Sequence, residues 1–158
     1  MNIEYYHASK YGNGIQVAEE FKRLMSAKGV TVNVHHVKEA KTGVLPPADL
    51  YVFSSPSRLG KPIKSVRRFL SNVQLAPGTR YAILTTQLVL KPNKKTGKMP
   101  TEEEAYQRII PIMNELLQAK GLQKVVEERI HVIALKGPLE EGWQKKVEVF
   151  VGSIPLTP

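Results

Sequence analysis

The residues best suited to chemistry lie near the start of the chain, in Ser9-Lys10-Tyr11-Gly12-Asn13-Gly14. They follow a short apolar run and lead into a segment with helical spacing. A turn between a strand and a helix N-terminus can aim several backbone N–H groups at one point, and the helix dipole favours negative charge there. Glycine allows the close approach and the positive φ that such a turn needs. The segment therefore predicts an anion site, although turns of similar composition also serve as plain connectors.

Two further polar loops follow apolar runs in the same way. Ser54-Ser55-Pro56-Ser57-Arg58-Leu59-Gly60 comes after residues 50–53, and Thr85-Thr86-Gln87 comes after residues 81–84. Because ligands of open α/β sheets bind beyond the carboxyl ends of the strands, the three loops are expected to converge at one edge. Their Ser, Pro and Gly residues would admit a flat ring close to backbone groups, which is the arrangement that a flavin requires.

Alternating patterns of apolar residues predict the elements that position these loops. Strands are predicted at residues 3–7, 30–34, 50–53 and 81–84, and the last strand lies within 125–135, most specifically at 130–134; helices are predicted at 13–28, 62–73, 101–120 and 140–151. A capping box at Thr101 and Glu104 marks the start of the third helix, and Pro111 predicts a kink or a short break inside it. Strands that alternate with helices imply an α/β fold with a mainly parallel sheet covered on both faces. No helix is predicted between the second and third strands.

The distribution of charge is uneven along the chain, whose formal net charge is +9. Residues 51–101 contain ten Lys or Arg and no Asp or Glu. Several of these lysines lie in residues 88–100, which are interpreted as a mobile loop because they also carry Pro, Asn and Gly. The asymmetry predicts an anionic ligand or partner on one part of the surface. A solvated basic face that only aids solubility is the alternative.

Several classes of protein are excluded or disfavoured by composition. The chain has no cysteine, which excludes disulfides, thiolate metal sites and cysteine nucleophiles. No apolar run is long enough to span a membrane and the N-terminus does not resemble a signal peptide, so a single cytoplasmic domain over residues 1–158 is expected. His35 and His36 are adjacent in a strand and point to opposite faces, so they cannot chelate one metal. His7 is interpreted as a structural histidine rather than a phosphate ligand.

The order and spacing of these motifs resemble the flavodoxin family over nearly the full length of the chain. The first loop is similar to the family's phosphate loop, with Gly14 where the family pattern has a threonine. The stretch from Ser54 to Pro62 is similar to the family's Gly-Ser-Pro-x-x-x-Gly-x-Pro segment beside the flavin ring. Lys136-Gly137-Pro138-Leu139-Glu140-Glu141-Gly142-Trp143 resembles a segment of small flavodoxin-like domains.

The resemblance implies a three-layer, doubly wound flavodoxin-like fold with a five-stranded parallel sheet in the order 2-1-3-4-5. It also implies non-covalent FMN and no catalytic side chain or metal, because the flavin carries the electrons. By position, the phosphate would be held by Ser9, Lys10, Tyr11, Gly12, Asn13 and Gly14. The ring would be lined by Ser55, Pro56, Ser57, Arg58, Leu59 and Gly60, with Thr85, Thr86 and Gln87 at its other edge.

The expected function is therefore that of an FMN-binding electron-transfer protein with a basic surface around the flavin. Such a surface favours an acidic redox partner protein or an anionic reductant such as NAD(P)H, and a less reducing flavin than in an acidic flavodoxin. A small FMN-dependent NAD(P)H or quinone reductase is one alternative. A flavin-free binding module for an acidic partner is another. The lysines are not interleaved with aromatic residues, which argues against a nucleic-acid-binding surface.

Overall fold

The computed structural model describes residues 1–157 and contains seven strands and four α-helices in that range. The strands are β1 (Asn2–His7), β2 (Thr31–His36), β3 (Leu50–Phe53), β4 (Ser57–Arg58), β5 (Lys61–Pro62), β6 (Arg80–Leu88) and β7 (Gln123–Val132). The helices are α1 (Asn13–Ser26), α2 (Lys64–Asn72), α3 (Ile109–Gln118) and α4 (Trp143–Gly152). A single 3-10 turn, Val37–Glu39, stands in the connection between β2 and β3, as the absence of a predicted helix there indicated.

Five of the strands form one parallel sheet in the order β2-β1-β3-β6-β7. With the hairpin β4–β5 left out of the numbering, this is the predicted order 2-1-3-4-5. In β1, Tyr5 lies opposite Val34 of β2 and Val52 of β3. The strand order reverses next to β1, so the carboxyl ends of β1 and β3 flank the switch point where ligands bind in such sheets.

Helices cover both faces of the sheet and give the predicted three layers. Alternate residues of β1 point to opposite faces, so Ile3 and Tyr5 pack with α1 and α4, while Tyr6 packs with α2 and α3. Phe21 of α1 contacts both the Tyr5 ring and Phe150 of α4. Each face therefore has its own closed apolar core, and the polar loops at the strand ends are left to form a site.

The predicted third helix is wrong over its first eight residues. The capping box does form, since the Glu104 backbone N–H donates to the Thr101 hydroxyl and the Glu104 carboxylate accepts from the Thr101 N–H. It closes only a turn, because Tyr106 adopts a positive φ of 57° and interrupts the helical backbone. The helix starts at Ile109, and Pro111 lies in its first turn, where a missing N–H costs no intrahelical bond. The predicted kink or break at Pro111 therefore does not arise, and the helical backbone is interrupted at Tyr106 instead.

The last strand was also misplaced in the prediction. It covers Gln123–Val132, so it begins two residues before the predicted segment 125–135 and seven before the more specific prediction 130–134, and residues 133 and 134 lie outside it. The early part of β7 is half-exposed at the edge of the sheet and carries charged residues. The pattern of apolar residues therefore did not predict this part as a strand. The short hairpin β4–β5 inside the second polar loop was not predicted either.

Candidate functional site

The loops after β1 and β3 and the end of β6 meet around one cleft of about 710 Å³ at the carboxyl edge of the sheet. Of the predicted site residues, the cleft is lined by Ser9, Lys10, Tyr11, Asn13, Gly14, Pro56, Ser57, Arg58, Leu59 and Thr86. Five predicted residues do not line it: Gly12, Ser55, Gly60, Thr85 and Gln87. Eight lining residues were not predicted: Lys61, Pro62, Ile63, Lys64, Arg67, Leu88, Val132 and Leu135.

The first loop presents its backbone to the cleft as an anion site does. Gly12 caps α1 with a φ of +90°, a conformation that glycine adopts without strain. The first N–H groups of a helix have no acceptor within it, and Gln16 is the first residue of α1 whose N–H bonds back to this loop, at Gly12 O. No acidic side chain lies in the first turn of α1 and no side chain caps it. The positive end of the helix dipole is therefore uncompensated by the residues that the structure describes.

Ser9 is the side chain of this loop whose position is most informative. Its Oγ atom is buried and has no hydrogen-bond partner among residues 1–157. Buried hydroxyls in folded proteins are nearly always satisfied, so an unpaired one next to a helix N-terminus indicates a ligand-binding position. A Cβ atom on Gly14 would lie 3.2 Å from the Ser9 Cβ, which means that α1 approaches Ser9 very closely.

His7 supports the first loop through a hydrogen bond to its backbone. The Ser9 backbone N–H donates to His7 Nδ1 at 3.0 Å, so this nitrogen is unprotonated. The imidazole is buried and its ring edge faces His36, with centroids 5.2 Å apart. Burial and the neighbouring His36 lower the pKa of His7, while Glu39 acts in the opposite direction. His7 does not line the cleft, which agrees with its interpretation as a structural histidine.

The second loop forms a wall of the cleft because it folds into the hairpin β4–β5. Leu59 (φ 53°) and Gly60 (φ 75°) form its two-residue turn, and both have the positive φ that a type I′ turn requires. Ser55 does not face the cleft; its hydroxyl donates to Pro56 O and accepts from the Ile63 N–H, which fixes the base of the loop. In this structure the Ser55 hydroxyl therefore makes structural hydrogen bonds at the base of the loop.

The third loop continues strand β6 instead of forming a turn. Thr85 and Gln87 are fully buried and bond to each other, with the Thr85 hydroxyl 2.8 Å from Gln87 Oε1. Gln87 Nε2 also lies 3.4 Å from the carboxylate of Glu102. Side chains alternate along a strand, so Thr86 alone of the three reaches the cleft. Strand β6 was predicted to end at residue 84, so residues 85–87 were treated as a loop and not as strand residues with alternating side chains.

The segment that follows β7 borders the first loop. A Cβ atom on Gly137 would lie 2.9 Å from Asn13 Oδ1, so any larger residue would displace the Asn13 amide. Lys136 and Lys10 each place their ammonium group over the Tyr11 ring, 5.9 and 5.6 Å from its centroid. An aromatic ring with two cations therefore stands at the rim of the cleft.

The cleft is strongly cationic. Lys10, Arg58, Lys61, Lys64 and Arg67 line it, and no carboxylate does so. None of the ten cations in residues 51–101 forms an ion pair in the part of the chain that the structure describes, whereas Lys124, Arg129, Lys145 and Lys146 further along are paired. Four of these ten cations line the cleft: Arg58, Lys61, Lys64 and Arg67. Lys64 and Arg67 lie one helical turn apart in the sequence. This spacing is the signal from which these two lining residues could have been predicted.

The fold is similar to that of solved flavodoxins. Flavodoxin 1 from Bacillus cereus aligns with a TM-score of 0.70 at 14% identity, covering 97% of this chain and 96% of that one. Flavodoxin 2 from Bacillus cereus gives 0.66 at 18% identity, covering 97% of each chain. A flavodoxin from the domain Archaea gives 0.61 at 13% identity, covering 96% and 94%. The chain therefore has a flavodoxin-like fold over nearly its whole length.

No protein-family model matches the sequence, and a search of curated proteins gives no match. Among residues 1–157, no helix is both long enough and apolar enough to cross a membrane.

Proposed function

We propose that this flavodoxin-like chain binds FMN non-covalently in the cationic cleft and transfers electrons to or from an acidic redox partner. The observation that carries the proposal is the buried Ser9 hydroxyl, which has no hydrogen-bond partner among residues 1–157, beside the N-terminus of α1, which no side chain of the described residues caps. A phosphate monoester supplies what this position lacks, because its oxygens accept hydrogen bonds and its charge complements the helix dipole.

The phosphate end of FMN fits the residues present. The Ser9 hydroxyl and the first N–H groups of α1 would donate to the phosphate, and Lys10 at the mouth of the same loop adds positive charge. Gly12 gives the loop its positive φ and leaves open space around its Cα. Tyr11 stands where the family pattern has a threonine, and Gly14 has no hydroxyl, so the phosphate would be held mainly by Ser9 and backbone groups.

The ring end of the cleft has apolar walls. Pro56 and Leu59 form one side, while Leu88 and Leu135 lie on others. A binding site for a flat aromatic ligand is mostly apolar with a few placed polar groups, and this composition fits it. When bound, the flavin supplies reversible electron transfer, and the protein's part is to hold the ring, exclude water from it and set its potential by charge.

The charge of the cleft gives the proposed flavin its distinguishing property. Five cations and no carboxylate face the site, so added negative charge on the ligand is favoured. A flavin held there would be less reducing than one surrounded by acidic residues. The same cations would attract acidic proteins or a phosphorylated reductant such as NAD(P)H.

The test compares FMN with riboflavin, which lacks the phosphate, by quenching of flavin fluorescence. The native protein should bind FMN at least roughly tenfold more tightly than riboflavin. Ser9→Ala should weaken FMN binding by roughly tenfold, the size of one charge-assisted hydrogen bond, and leave riboflavin binding unchanged. Ser71→Ala, which removes an exposed hydroxyl on α2 that bonds only to Arg67 O, is the matched control. Equal affinity for both flavins, or no binding at tens of micromolar FMN, would refute the proposal.

A reductase is the second candidate function, and the cationic cleft favours it. Lys61, Lys64 and Arg67 come from the hairpin and α2 rather than from the first loop, so they remain available to attract the phosphates of NAD(P)H when the first loop holds the phosphate of FMN. Steady oxidation of NAD(P)H with a quinone by the FMN-loaded protein would identify a reductase. Electron transfer only in the presence of a protein partner would identify a carrier.

A further inference from the structure

Two large apolar side chains stand out of the protein at the tip of the hairpin wall. Leu59 is 92% exposed and Tyr106 is 78% exposed, the highest values among the exposed large hydrophobic residues of the described chain. They are also the two non-glycine residues with positive φ in that part of the chain. Strained backbone of this kind persists where the surrounding structure enforces it, and it concentrates at functional sites.

The two residues are held next to each other by their turns. The Arg108 N–H donates to Gly60 O at 2.6 Å, and a Cβ atom on Gly60 would lie 2.0 Å from Tyr106 O. The β4–β5 turn and the turn before α3 are therefore packed back to back. Because neither could shift without breaking this contact, the two turns hold Leu59 and Tyr106 at neighbouring positions of the surface as an exposed apolar pair.

The second of these turns is also anchored to the sheet. Glu102, near its start, forms an ion pair with Arg129 of β7 and lies within reach of Gln87 Nε2. The capping box at Thr101 closes the turn itself. The turn is thus fastened at both ends although its tip, Tyr106, faces solvent.

Cations surround the apolar pair. Arg58 and Lys61 flank Leu59, and Arg108 follows Tyr106 closely; all three are exposed and none is ion-paired among residues 1–157. Of the three glutamates in the second turn, Glu102 is paired with Arg129, whereas Glu103 and Glu104 keep their negative charge, since the Glu104 carboxylate accepts from the neutral Thr101 N–H. Arg58, Lys61 and Arg108 outnumber these two carboxylates, so the rim is net positive. We name Arg58, Leu59, Lys61, Tyr106 and Arg108 the tip surface.

We propose that the tip surface is the docking site for an acidic protein, which would place an apolar contact over Leu59 and Tyr106 and carboxylates against the three cations. An exposed apolar pair with a charged rim has the composition of a protein interface, where aromatic residues and arginine contribute most of the affinity. Arg58, Leu59 and Lys61 also line the cleft, so a protein docked here would sit beside the flavin. This link to electron transfer rests on the proposed function, whereas the docking itself does not.

The test uses Tyr106→Asn, because Tyr106 does not line the cleft and asparagine tolerates a positive φ. The substitution should leave thermal stability unchanged or raise it, since it relieves backbone strain, and should leave FMN affinity unchanged. It should weaken docking by roughly tenfold, as expected for the loss of an aromatic interface residue. A residue that only stabilised the fold would show the opposite pattern, with lower stability and unaltered docking.

Docking is measured by calorimetry with oxidised plant-type ferredoxin, a small acidic protein, at about 20 and about 300 mM salt. Binding should be present at low salt, weaken at high salt and fall in both Tyr106→Asn and Arg108→Gln. Arg68→Gln, which removes an exposed cation of α2 outside the tip surface, is the control for net charge. Cytochrome c, a basic protein of similar size, should not bind.

Three results would overturn the proposal. The first is that the native protein does not bind ferredoxin, or that it binds ferredoxin with the same affinity as both tip variants. The second is equal binding of cytochrome c. The third is that the native protein binds a short single-stranded DNA more tightly than it binds ferredoxin, and that Tyr106→Asn abolishes the DNA binding. This result would assign the surface to nucleic acid. Because calorimetry needs no electron transfer, docking can succeed even where FMN fails to bind, and the two proposals can fail separately.

Discussion

Replacing His7 tests whether one buried imidazole sets the shape of the first loop. The Ser9 N–H donates to His7 Nδ1. In His7→Asn, the side-chain oxygen takes the place of Nδ1 and can still accept this hydrogen bond. In His7→Gln, the polar atoms take the place of Nε2 and the acceptor for Ser9 is lost. The two variants therefore differ mainly in this one contact, and comparing them removes the general cost of replacing the ring.

The expected magnitude follows from leaving a half-buried donor without an acceptor, which costs about 1–2 kcal/mol. For a chain of this length, that corresponds to a melting temperature roughly 2–8 °C lower in His7→Gln than in His7→Asn. If the Ser9 hydroxyl binds phosphate, the same loss of positioning should weaken FMN binding by about 5- to 30-fold. Thermal denaturation and fluorescence titration of both variants measure these effects.

The same histidine should make stability depend on pH. Burial and His36 lower the pKa of His7 below the ordinary value of 6.5. Well above pH 6.5, His7 is neutral in both the folded and the unfolded chain and contributes no pH dependence. As the pH falls below 6.5, the unfolded chain takes up a proton that the folded chain resists until its own lower pKa is reached. The free energy of unfolding therefore falls through this window.

His7→Asn should remove this part of the acid sensitivity, and His36 and Glu39, which face His7 from β2 and the turn after it, are present in both proteins. Urea denaturation at intervals between about pH 5 and about pH 7.5 gives the difference between the two proteins directly. Two results would refute the reasoning: identical pH dependence in the native protein and His7→Asn, or equal stability of His7→Asn and His7→Gln at the upper end of this range.

The remaining predictions concern the hairpin and the charge of the cleft. Gly60→Ala should destabilise the fold by about 2–3 kcal/mol in urea denaturation, because its Cβ would meet Tyr106 O at 2.0 Å. Gly78→Ala has a similar φ of +86° with open space around it, and should cost only about 1 kcal/mol; equal losses would contradict the packing argument. Lys64→Gln should lower the midpoint potential of bound FMN by about 20 mV, the effect of one charge about 10 Å away in a wet cleft. An unchanged potential of Lys64→Gln in a redox titration, or an equal change in Arg68→Gln, would contradict this electrostatic prediction.

The fold could be predicted where local pattern and tertiary role agree. Residues 50–53 form a strand buried on both faces, and their continuous apolar run predicted β3 with its correct bounds. The start of α3 could not be predicted in this way. Its capping box is real, but the positive φ of Tyr106 depends on packing against Gly60, which lies about 45 residues earlier in the chain. A contact of that range leaves no local signal.

The candidate site was predictable to the extent that it depends on strand ends. The loops after β1 and β3 were located because they follow apolar strands, and they do line one cleft. Thr85 and Gln87 were assigned to the site because β6 was predicted to end too early; in the longer strand they turn into the protein and bond to each other. Leu135 was missed for a different reason: the predicted site drew on the loops after the first, third and fourth predicted strands, and the loop after the last strand was not included.

Gly14 shows how a departure from a family pattern can have a local cause. The family pattern has a threonine at this position, so glycine looks like the loss of a phosphate ligand. In the structure, a Cβ atom here would lie 3.2 Å from Ser9 Cβ and 3.5 Å from Ser9 Oγ, the atom that lacks a partner among the described residues. A side chain at this position would therefore be tight against Ser9, which would have to shift by a few tenths of an ångström to admit it. With glycine here, the hydroxyl beside the helix N-terminus comes from the loop, at Ser9, rather than from the helix.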